Sequence, residues 1–298
     1  MSDILYDFRS PMLAHTLGEK LPPGYWVAEQ KFDGHRLVVS VKGDVVRAWS
    51  RLGTPRAQDL RAPIIQSLLS LPDGVYDGEL LVPGGTSHNV KEASNFDKLE
   101  LRLFDILTLG PQDITPWPQE RRREALEFGF AHVPFGSPVR LAEAVPVWDL
   151  DAIFTMAKTH WKNGSEGLIL KDIKAAYRCG KRSRAFLKVK QELSATLEVI
   201  GFAASKGEIV DRGLCGQVVL RDLTLGIITA VKTLDDNEVE RLNRLVPKDP
   251  IRQIFRIGAR NVEAIVNHPE VGRLAVIEYQ QRTEDSYRHP RWDRWEDE

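Results

Sequence analysis

The chain has 298 residues, 42% of them hydrophobic and 28% charged, a composition typical of a globular protein of about two domains. Its 41 basic and 42 acidic residues give a net charge of −1, which excludes a uniformly basic nucleic-acid coat but allows a local basic groove. No apolar run approaches the ~18 residues of a membrane span, no secretory pattern opens the chain, and two cysteines cannot form a disulfide framework, so we expect a cytoplasmic protein that does not bind membranes.

Four strands are predicted in the first part of the chain, at residues 36–41, 45–50, 75–82 and 99–107. Lys42-Gly43-Asp44 separates the first two and is typical of a tight hairpin. In the fourth strand Leu99, Leu101 and Leu103 alternate with other residues, which predicts that this face is buried.

Two helices and two further strands follow. Residues 119–128 come after Pro118 and are so highly charged that we expect an exposed helix. Residues 149–162 have apolar side chains at helical spacing, and Asp149 is placed to act as the N-cap. Strands are then predicted at 167–171 and 185–190.

The pattern of short strands restarts after a predicted domain boundary near residues 191–195. Strands are predicted at 197–203, 217–221, 227–231 and 274–280, with a helix at 235–245. Several short strands and one helix suit a small β-barrel of the OB type. We therefore predict two domains, 1–192 and 193–298.

The residues that could carry chemistry begin with Glu29, Lys31 and Asp33, which share one face of the chain if this segment is extended. Taken alone, a lysine between two carboxylates is most often a surface ion-pair cluster. Further motifs place charged or aromatic residues on or beside predicted strands: Ser50-Arg51-Leu52-Gly53, Asp77-Gly78-Glu79, Leu103-Phe104-Asp105, Glu166 to Lys171, and Lys188 with Lys190.

Together these motifs have a chemical logic that none has alone. Two carboxylates from separate strands can hold a hard divalent cation, and converging cations suit a phosphate. A lysine near other cations and a metal can lose its proton and become a nucleophile. Neither G-x-x-x-x-G-K-[ST] nor G-x-G-x-x-G is present, so a conventional glycine-rich loop would not hold a bound nucleotide.

The order and spacing of these motifs resemble the covalent nucleotidyltransferase superfamily and, within it, ATP-dependent DNA ligases of minimal, two-domain, phage-like size. Residues 277–292 also resemble the end of the second domain of these ligases. The resemblance implies an α+β fold, in which an ATP-grasp-like nucleotidyltransferase (adenylation) domain of antiparallel sheets and helices precedes a β-barrel OB-fold domain.

The resemblance also implies an activity. Lys31 would attack the α-phosphate of ATP in the presence of Mg²⁺ or Mn²⁺ and form a lysyl–AMP. The AMP would pass to the 5′-phosphate of a nick in duplex DNA, and the adjacent 3′-hydroxyl would displace it and seal the strand. A monomer is expected.

Specific roles follow by resemblance for the matching residues. Glu29 would contact the adenine edge, Phe104 would stack on adenine, and Arg36 and Glu79 would contact the ribose. Lys188 and Lys190 would hold the α-phosphate and serve catalysis beside Lys31. The remaining nucleotide, metal and DNA contacts fall to Arg51 (nick phosphate), Lys171, and the metal-binding carboxylates Glu79 and Glu166. Asp33 would orient Lys31 or help to deprotonate the 3′-hydroxyl.

The end of the chain departs from the family pattern, because the basic residue that normally closes the last motif is absent. Arg294 and Asp297 stand at the arginine and acidic positions, and either another cation substitutes or self-adenylylation is slower. The alternative interpretation of this segment is a frayed charged terminus.

Eight basic residues and one acidic residue lie between positions 171 and 190, which predicts a DNA-backbone footprint without sequence readout, or alternatively a solvated basic loop. A hinge at 191–195 would let the second domain face ATP first and DNA later. The rival functions are an RNA ligase, an RNA-capping nucleotidyltransferase, and a nucleic-acid-binding protein with an inactive transferase site.

Overall fold

The computed structural model describes residues 8–191, 193–204, 215–232, 236–279, 281–282 and 286–297. The chain divides into two compact units, Met1–Gln191 and Glu192–Glu298. None of the helices in the described ranges is long and apolar enough to cross a membrane.

Between residues 8 and 191, unit 1 contains eleven strands and three α-helices. The strands are β1 (Leu13–Thr16), β2 (Trp26–Lys31), β3 (His35–Lys42), β4 (Val45–Ser50), β5 (Gly74–Leu81), β6 (Glu100–Leu109), β7 (Gln112–Asp113), β8 (Val139–Leu141), β9 (Ala144–Val147), β10 (Gly167–Asp172) and β11 (Arg182–Lys190). The helices are α1 (Ala62–Leu68), α2 (Gln119–Phe130) and α3 (Leu150–Lys162).

The first sheet of unit 1 has the strand order β1-β11-β10-β2-β9 and is antiparallel except between β1 and β11. Alternate residues of its central strands, including Ala28, Leu168 and Leu170, pack against α3. The helix contributes Ile153 and Ala157 to this cluster. Because side chains alternate between the two faces of a strand, the residues between these apolar ones point to the opposite face of the sheet.

The second sheet has the order β4-β3-β5-β6-β7, with β8 added parallel to β6. One of its faces forms the largest apolar core, and the predicted stripe of Leu99, Leu101 and Leu103 is buried there. Its other face meets the first sheet, because Val38 of β3 and Phe186 of β11 belong to one buried cluster. The two sheets of unit 1 thus pack face to face.

Local sequence signals account for the main elements of unit 1. The predicted hairpin is confirmed: Lys42 pairs with Val45, and Gly43 adopts a φ of +51°, which favours glycine. The predicted cap of α3 is confirmed as well, since the Asp149 carboxylate accepts a hydrogen bond of 2.7 Å from the Ala152 amide.

The prediction that α2 is exposed is wrong for one of its faces. Arg122 has no solvent exposure, and its guanidinium contacts both oxygens of the buried Asp105 at 2.8 and 3.1 Å. The same side chain donates to the carbonyl oxygens of Trp117 and Ala175. A charged residue can be buried when each of its nitrogens finds an acceptor in this way.

The described residues of unit 2 form nine strands and one helix. The strands are β12 (Leu193–Ala204), β13 (Cys215–Arg221), β14 (Ile228–Lys232), β15 (Arg252–Ile257), β16 (Arg260–Ile265), β17 (Leu274–Tyr279), β18 (Gln281–Arg282), β19 (Tyr287–Arg288) and β20 (Arg291–Trp295), and the helix is α4 (Asp236–Arg244). The long strand β12 pairs with β17 through its first half and with β13 and β16 through its second, and β17 pairs with β20.

The last strand corrects the interpretation of the end of the chain as frayed. Trp295 of β20 is 2% exposed, and its indole Nε1 donates to Glu238 of α4 at 3.0 Å. The guanidinium carbon of Arg273 lies 4.0 Å from the Trp295 ring, and the same arginine pairs with Asp297. Residues 291–295 are therefore a structural part of unit 2.

Candidate active site

Lys31 is the last residue of β2, and a carboxylate beside the neighbouring strand β10 holds its ammonium group. Glu166 Oε2 accepts a hydrogen bond from Lys31 Nζ, and Glu166 Oε1 lies 2.6 Å from Lys190 Nζ. The register explains this contact, because Gly167 pairs with both lysines. Although burial alone would raise the pKa of Glu166, the two ammonium groups lower it, so the carboxylate is ionised.

Gly167 makes the close approach of these strands possible. Its φ is +143°, in the region that favours glycine. A Cβ atom at this position would lie 1.9 Å from the carbonyl oxygen of Val189 on β11. The adjacent glutamate therefore depends on a glycine to stand between the two lysines.

Lys188 and Glu29 extend the same face of the first sheet. Ile169 of β10 pairs with both of them, and residues two apart on a strand share a face, so they lie on the side of Lys31 and Lys190. Burial, together with the charge of Lys190, lowers the pKa of Lys188. Three lysines thus share the face that α3 does not cover.

Glu29 is buried against Lys171. Its Oε2 lies 2.8 Å from Lys171 Nζ, which also donates to the carbonyl oxygen of Phe104 at 2.7 Å. Burial raises the pKa of Glu29 despite the opposing charge of Lys171. The other oxygen, Oε1, is buried and has no hydrogen-bond partner in the part of the chain that the structure describes, so the site contains an unsatisfied acceptor.

The position of Lys171 corrects part of the predicted DNA footprint. Its side chain is 2% exposed and paired with Glu29, so it belongs to the interior and not to a basic surface. The exposed basic residues of the predicted segment are Lys174, Arg178, Lys181, Arg182 and Arg184.

The second sheet contributes an arginine that a buried carboxylate holds in place. Arg36 of β3 donates through Nε and Nη2 to the two oxygens of Asp77 at 2.9 and 2.5 Å, and Asp77 is fully buried. Burial alone would lower the pKa of Arg36, but the charge of Asp77 raises it, so the guanidinium stays charged. Its central carbon lies 5.3 Å from the centroid of the Phe104 ring.

Tyr177 belongs to this group and was missed by the sequence analysis. It is 4% exposed, and its hydroxyl donates to Asp77 Oδ2 at 2.5 Å. The tyrosine lies between β10 and β11, where no helical or strand periodicity marks it. Because its partner is 100 residues away, only the tertiary structure reveals the contact.

Glu79 lies opposite Arg36 in the register of β3 and β5. Burial raises the pKa of Glu79 to about 7, although the charges of Arg36 and Lys31 lower it. Magnesium prefers oxygen ligands and keeps several waters. Glu166 contacts Lys31 and Glu79 is subject to its charge, so these are the carboxylates of the site that could hold such an ion. Among the described residues, no group of three or more His, Cys, Asp or Glu side chains could hold a metal by itself.

Two predicted site residues lie in turns. Because β2 ends at Lys31, Asp33 lies past the strand. It therefore does not share a strand face with Lys31, which the sequence predicted for an extended segment. Arg51 is exposed in the turn after β4, where the Ser50 hydroxyl accepts hydrogen bonds from the backbone amides of Leu52 and Thr54 at 3.3 and 3.2 Å. This turn presents the Arg51 side chain to solvent.

Comparison with known proteins shows that this chain is similar to DNA ligases in sequence and in structure. DNA ligase C2 of Mycolicibacterium smegmatis is 29% identical over 225 residues, which cover 66% of this chain and 58% of that protein, so the chain spans little more than half of this curated relative. A solved structure of a Lig E DNA ligase superposes with a TM-score of 0.72 at 20% identity, covering 97% of this chain and all of the other. Mycobacterial DNA ligase D, solved with ATP and MES, gives 0.54 at 22% identity and covers 96% and 94% of the two chains.

These neighbours confirm the predicted α+β fold class, a nucleotidyltransferase domain of antiparallel sheets and helices followed by an OB-fold domain. Residues 11–190, more than half of the chain, match the model of the ATP dependent DNA ligase domain. The chain belongs to this family.

Proposed function

We propose that the chain is an ATP-dependent DNA ligase that seals nicks between a 3′-hydroxyl and a 5′-phosphate through an AMP linked to Lys31. The observation that carries the proposal is the contact of Lys31 Nζ with Glu166, which also binds Lys190. A lysine held by a carboxylate among further cations has the surroundings that an amine needs to attack phosphorus.

The unsatisfied oxygen of Glu29 supports adenine as the base. The 6-amino group of adenine donates hydrogen bonds, whereas the corresponding atom of guanine is a carbonyl oxygen that only accepts. A buried acceptor without a partner therefore favours adenine and repels guanine at this position. This argument favours ATP over GTP and a ligase over an RNA-capping guanylyltransferase.

In the first step, Lys31 Nζ, after losing a proton, donates its lone pair to the α-phosphorus of ATP. The bond from that phosphorus to the oxygen bridging to the β-phosphate breaks, and pyrophosphate leaves with the bonding electrons. Glu166 holds the amine in place, while Lys188 and Lys190 attract the charge that builds on the phosphoryl oxygens. A divalent cation bound through Glu79 and Glu166 would add further neutralisation of that charge.

In the later steps the 5′-phosphate of a nick attacks the lysyl–AMP and releases Lys31. The 3′-hydroxyl then attacks the activated phosphate and AMP leaves. The exposed Arg51 and the exposed basic residues between 174 and 184 would bind the DNA backbone, which gives affinity without sequence preference. We propose that the protein acts on nicked duplex DNA as a monomer.

The decisive experiment compares strand sealing on nicked DNA, nicked RNA and hybrid duplexes, with ATP or GTP as the cofactor. We expect sealing of nicked DNA with ATP. Sealing of RNA alone would favour an RNA ligase, and an adduct formed only with GTP would favour a capping enzyme. No adduct and no sealing, with retained DNA binding, would mean an inactive transferase site.

Replacing Phe104 by alanine should raise the ATP concentration needed for self-adenylylation by about fivefold or more, because base–aromatic stacking contributes ~1–3 kcal/mol. The initial rate of adduct formation against ATP concentration measures this effect. Phe135→Ala, at a fully exposed phenylalanine of the same unit, is the matched control. An unchanged ATP requirement in Phe104→Ala would reject stacking on this ring.

Glu79→Gln should change the pH dependence of stability. The pKa of Glu79 is raised from its usual 4.5 to about 7, so the native state binds this proton more tightly than the unfolded chain does. Its stabilising effect is complete below the lower value and is lost as the pH rises through the higher one. Without metal, the free energy of unfolding of the variant should therefore exceed that of the wild type by about 3 kcal/mol at pH 8 and equal it near pH 4.5.

Denaturant unfolding in EDTA between pH 4.5 and 8 measures this difference, and Glu143→Gln, at an exposed position, is its control. Mg²⁺ at pH 8 should stabilise the wild type more than Glu79→Gln, since an ion that binds only the native state adds stability. Parallel pH–stability curves would contradict the raised pKa, and equal stabilisation by Mg²⁺ would contradict the metal role.

A further inference from the structure

A buried chain of hydrogen bonds runs from the N-terminal segment to Arg36. The backbone amide of Met12 donates to the Tyr177 hydroxyl at 2.9 Å, and that hydroxyl donates to Asp77 Oδ2 at 2.5 Å. Asp77 in turn accepts both hydrogen bonds from one edge of Arg36. Met12 and Asp77 are fully buried, so none of these hydrogen-bonded groups can turn toward solvent without leaving a buried polar group unpaired.

These hydrogen bonds leave one nitrogen of the Arg36 guanidinium available. Nε and Nη2 are committed to Asp77, and Nη2 also lies 3.4 Å from the Tyr177 hydroxyl. Nη1 has no hydrogen-bond partner among the residues described, and the Arg36 side chain is 19% exposed. A guanidinium has five donors in a fixed fork, so when one edge is bound the direction of Nη1 is set.

The available nitrogen lies beside the proposed base site. The Arg36 guanidinium is 5.3 Å from the centre of the Phe104 ring, on which the proposed function stacks adenine. The sugar is attached directly to the base, so a donor next to that ring is close to the hydroxyls of the ribose. The Tyr177 hydroxyl adds a hydrogen bond to Asp77 Oδ2, which restrains the bidentate Asp77–Arg36 pair from swinging as a unit.

We propose that Tyr177 is a positioning residue that gives the site its preference for ribose over deoxyribose, by holding Asp77 and Arg36 so that Arg36 Nη1 donates to a ribose hydroxyl. This inference rests on the proposed function, since it requires ATP against Phe104. The tyrosine ring is itself fixed, edge-to-face with Phe186 at 6.2 Å. Its removal therefore affects orientation and not direct contact with the nucleotide.

The test measures equilibrium binding of ATP, 2′-deoxy-ATP and 3′-deoxy-ATP by calorimetry in EDTA, before any covalent step. The wild type should prefer ATP to at least one analogue by about tenfold or more, since a missing hydroxyl leaves a donor unpaired. Tyr177→Phe should weaken the binding of ATP and leave the binding of that analogue unchanged. The preference for ATP over the analogue should then fall to about threefold or less, as expected when a donor loses its alignment.

Tyr76→Phe is the matched control. Tyr76 is also fully buried and its hydroxyl also makes a short hydrogen bond, 2.6 Å to the Pro72 carbonyl, but it points into the core on the other face of β5. Its loss should leave the ribose preference unchanged. Equal loss of preference in both variants would show general loosening and would overturn the proposal.

A double-mutant cycle separates positioning from packing. Arg36→Lys should abolish the preference, and adding Tyr177→Phe to it should change nothing further, because both act on one contact. Additive effects, or a preference in Tyr177→Phe equal to that of the wild type, would overturn the role of Tyr177. If Tyr177→Phe does not fold, Asp77→Asn must show the same loss of preference. Failure of the wild type to bind ATP would contradict the proposed function itself, whereas a preference that survives Tyr177→Phe contradicts only this inference.

Discussion

Lys31→Arg should reduce the transfer of label from α-labelled ATP to the protein by at least about a thousandfold, the scale expected when a nucleophile is removed. Arginine keeps the positive charge beside Glu166, so the fold and the ion pair survive. It cannot be deprotonated in a protein and so cannot attack phosphorus. The measurement is the label incorporated into the protein after incubation with α-labelled ATP and Mg²⁺, followed by peptide mapping.

Lys158→Arg on α3 is the control, because this lysine is exposed and lies outside the site. It should form the adduct at the wild-type rate. Nick sealing with ATP should fail in Lys31→Arg. An adduct of AMP mapped to a different lysine, or full labelling of the arginine variant, would refute the role of Lys31 and with it the proposed mechanism.

Arg122→Met should lower the free energy of unfolding by about 3–5 kcal/mol, the usual effect of breaking a buried ion pair. Methionine preserves much of the volume but leaves Asp105 buried without its partner, along with two carbonyl oxygens that lose their donor. For a unit of this size, each kcal/mol corresponds to ~2–4 °C in melting temperature, so we expect a fall of roughly 6–20 °C. Thermal and denaturant unfolding measure the effect.

The neighbouring substitution Arg121→Met provides the control, since this arginine is exposed and should change stability by no more than about 0.5 kcal/mol. The double variant Asp105→Leu, Arg122→Met should recover much of the loss, because two apolar side chains do not leave a charge unpaired. Equal effects of the two arginine substitutions would show that the buried pair does not stabilise unit 1.

Local periodicity and turn chemistry predict much of this fold. The leucine stripe of β6, the glycine turn between β3 and β4, and the cap of α3 each depend on residues a few positions apart. Strands β15 and β16 were missed, because exposed charged residues, Arg256 in β15 and Glu263 in β16, interrupt their apolar pattern. A local signal is weak where a strand buries only part of one face.

The candidate site likewise contains features that the sequence predicted and features that it could not predict. The resemblance selected Lys31, Glu166 and Lys190, and the strand register brings them together. The motifs could not reveal that Lys171 is interior or that Tyr177 completes the Asp77 group, because those partners come from distant parts of the chain. Burial of a charge depends on such pairing, which local composition does not encode.

The shared register of β2, β10 and β11 couples folding to chemistry. Leu168 and Leu170 face α3, while the alternate positions of the same strands display the lysines. A slip of one residue in β10 would invert both faces at once and expose each leucine to water, at roughly 1.5–3 kcal/mol apiece. Burial of the leucines on one face thus stabilises the register that aligns the proposed reactive groups on the other face.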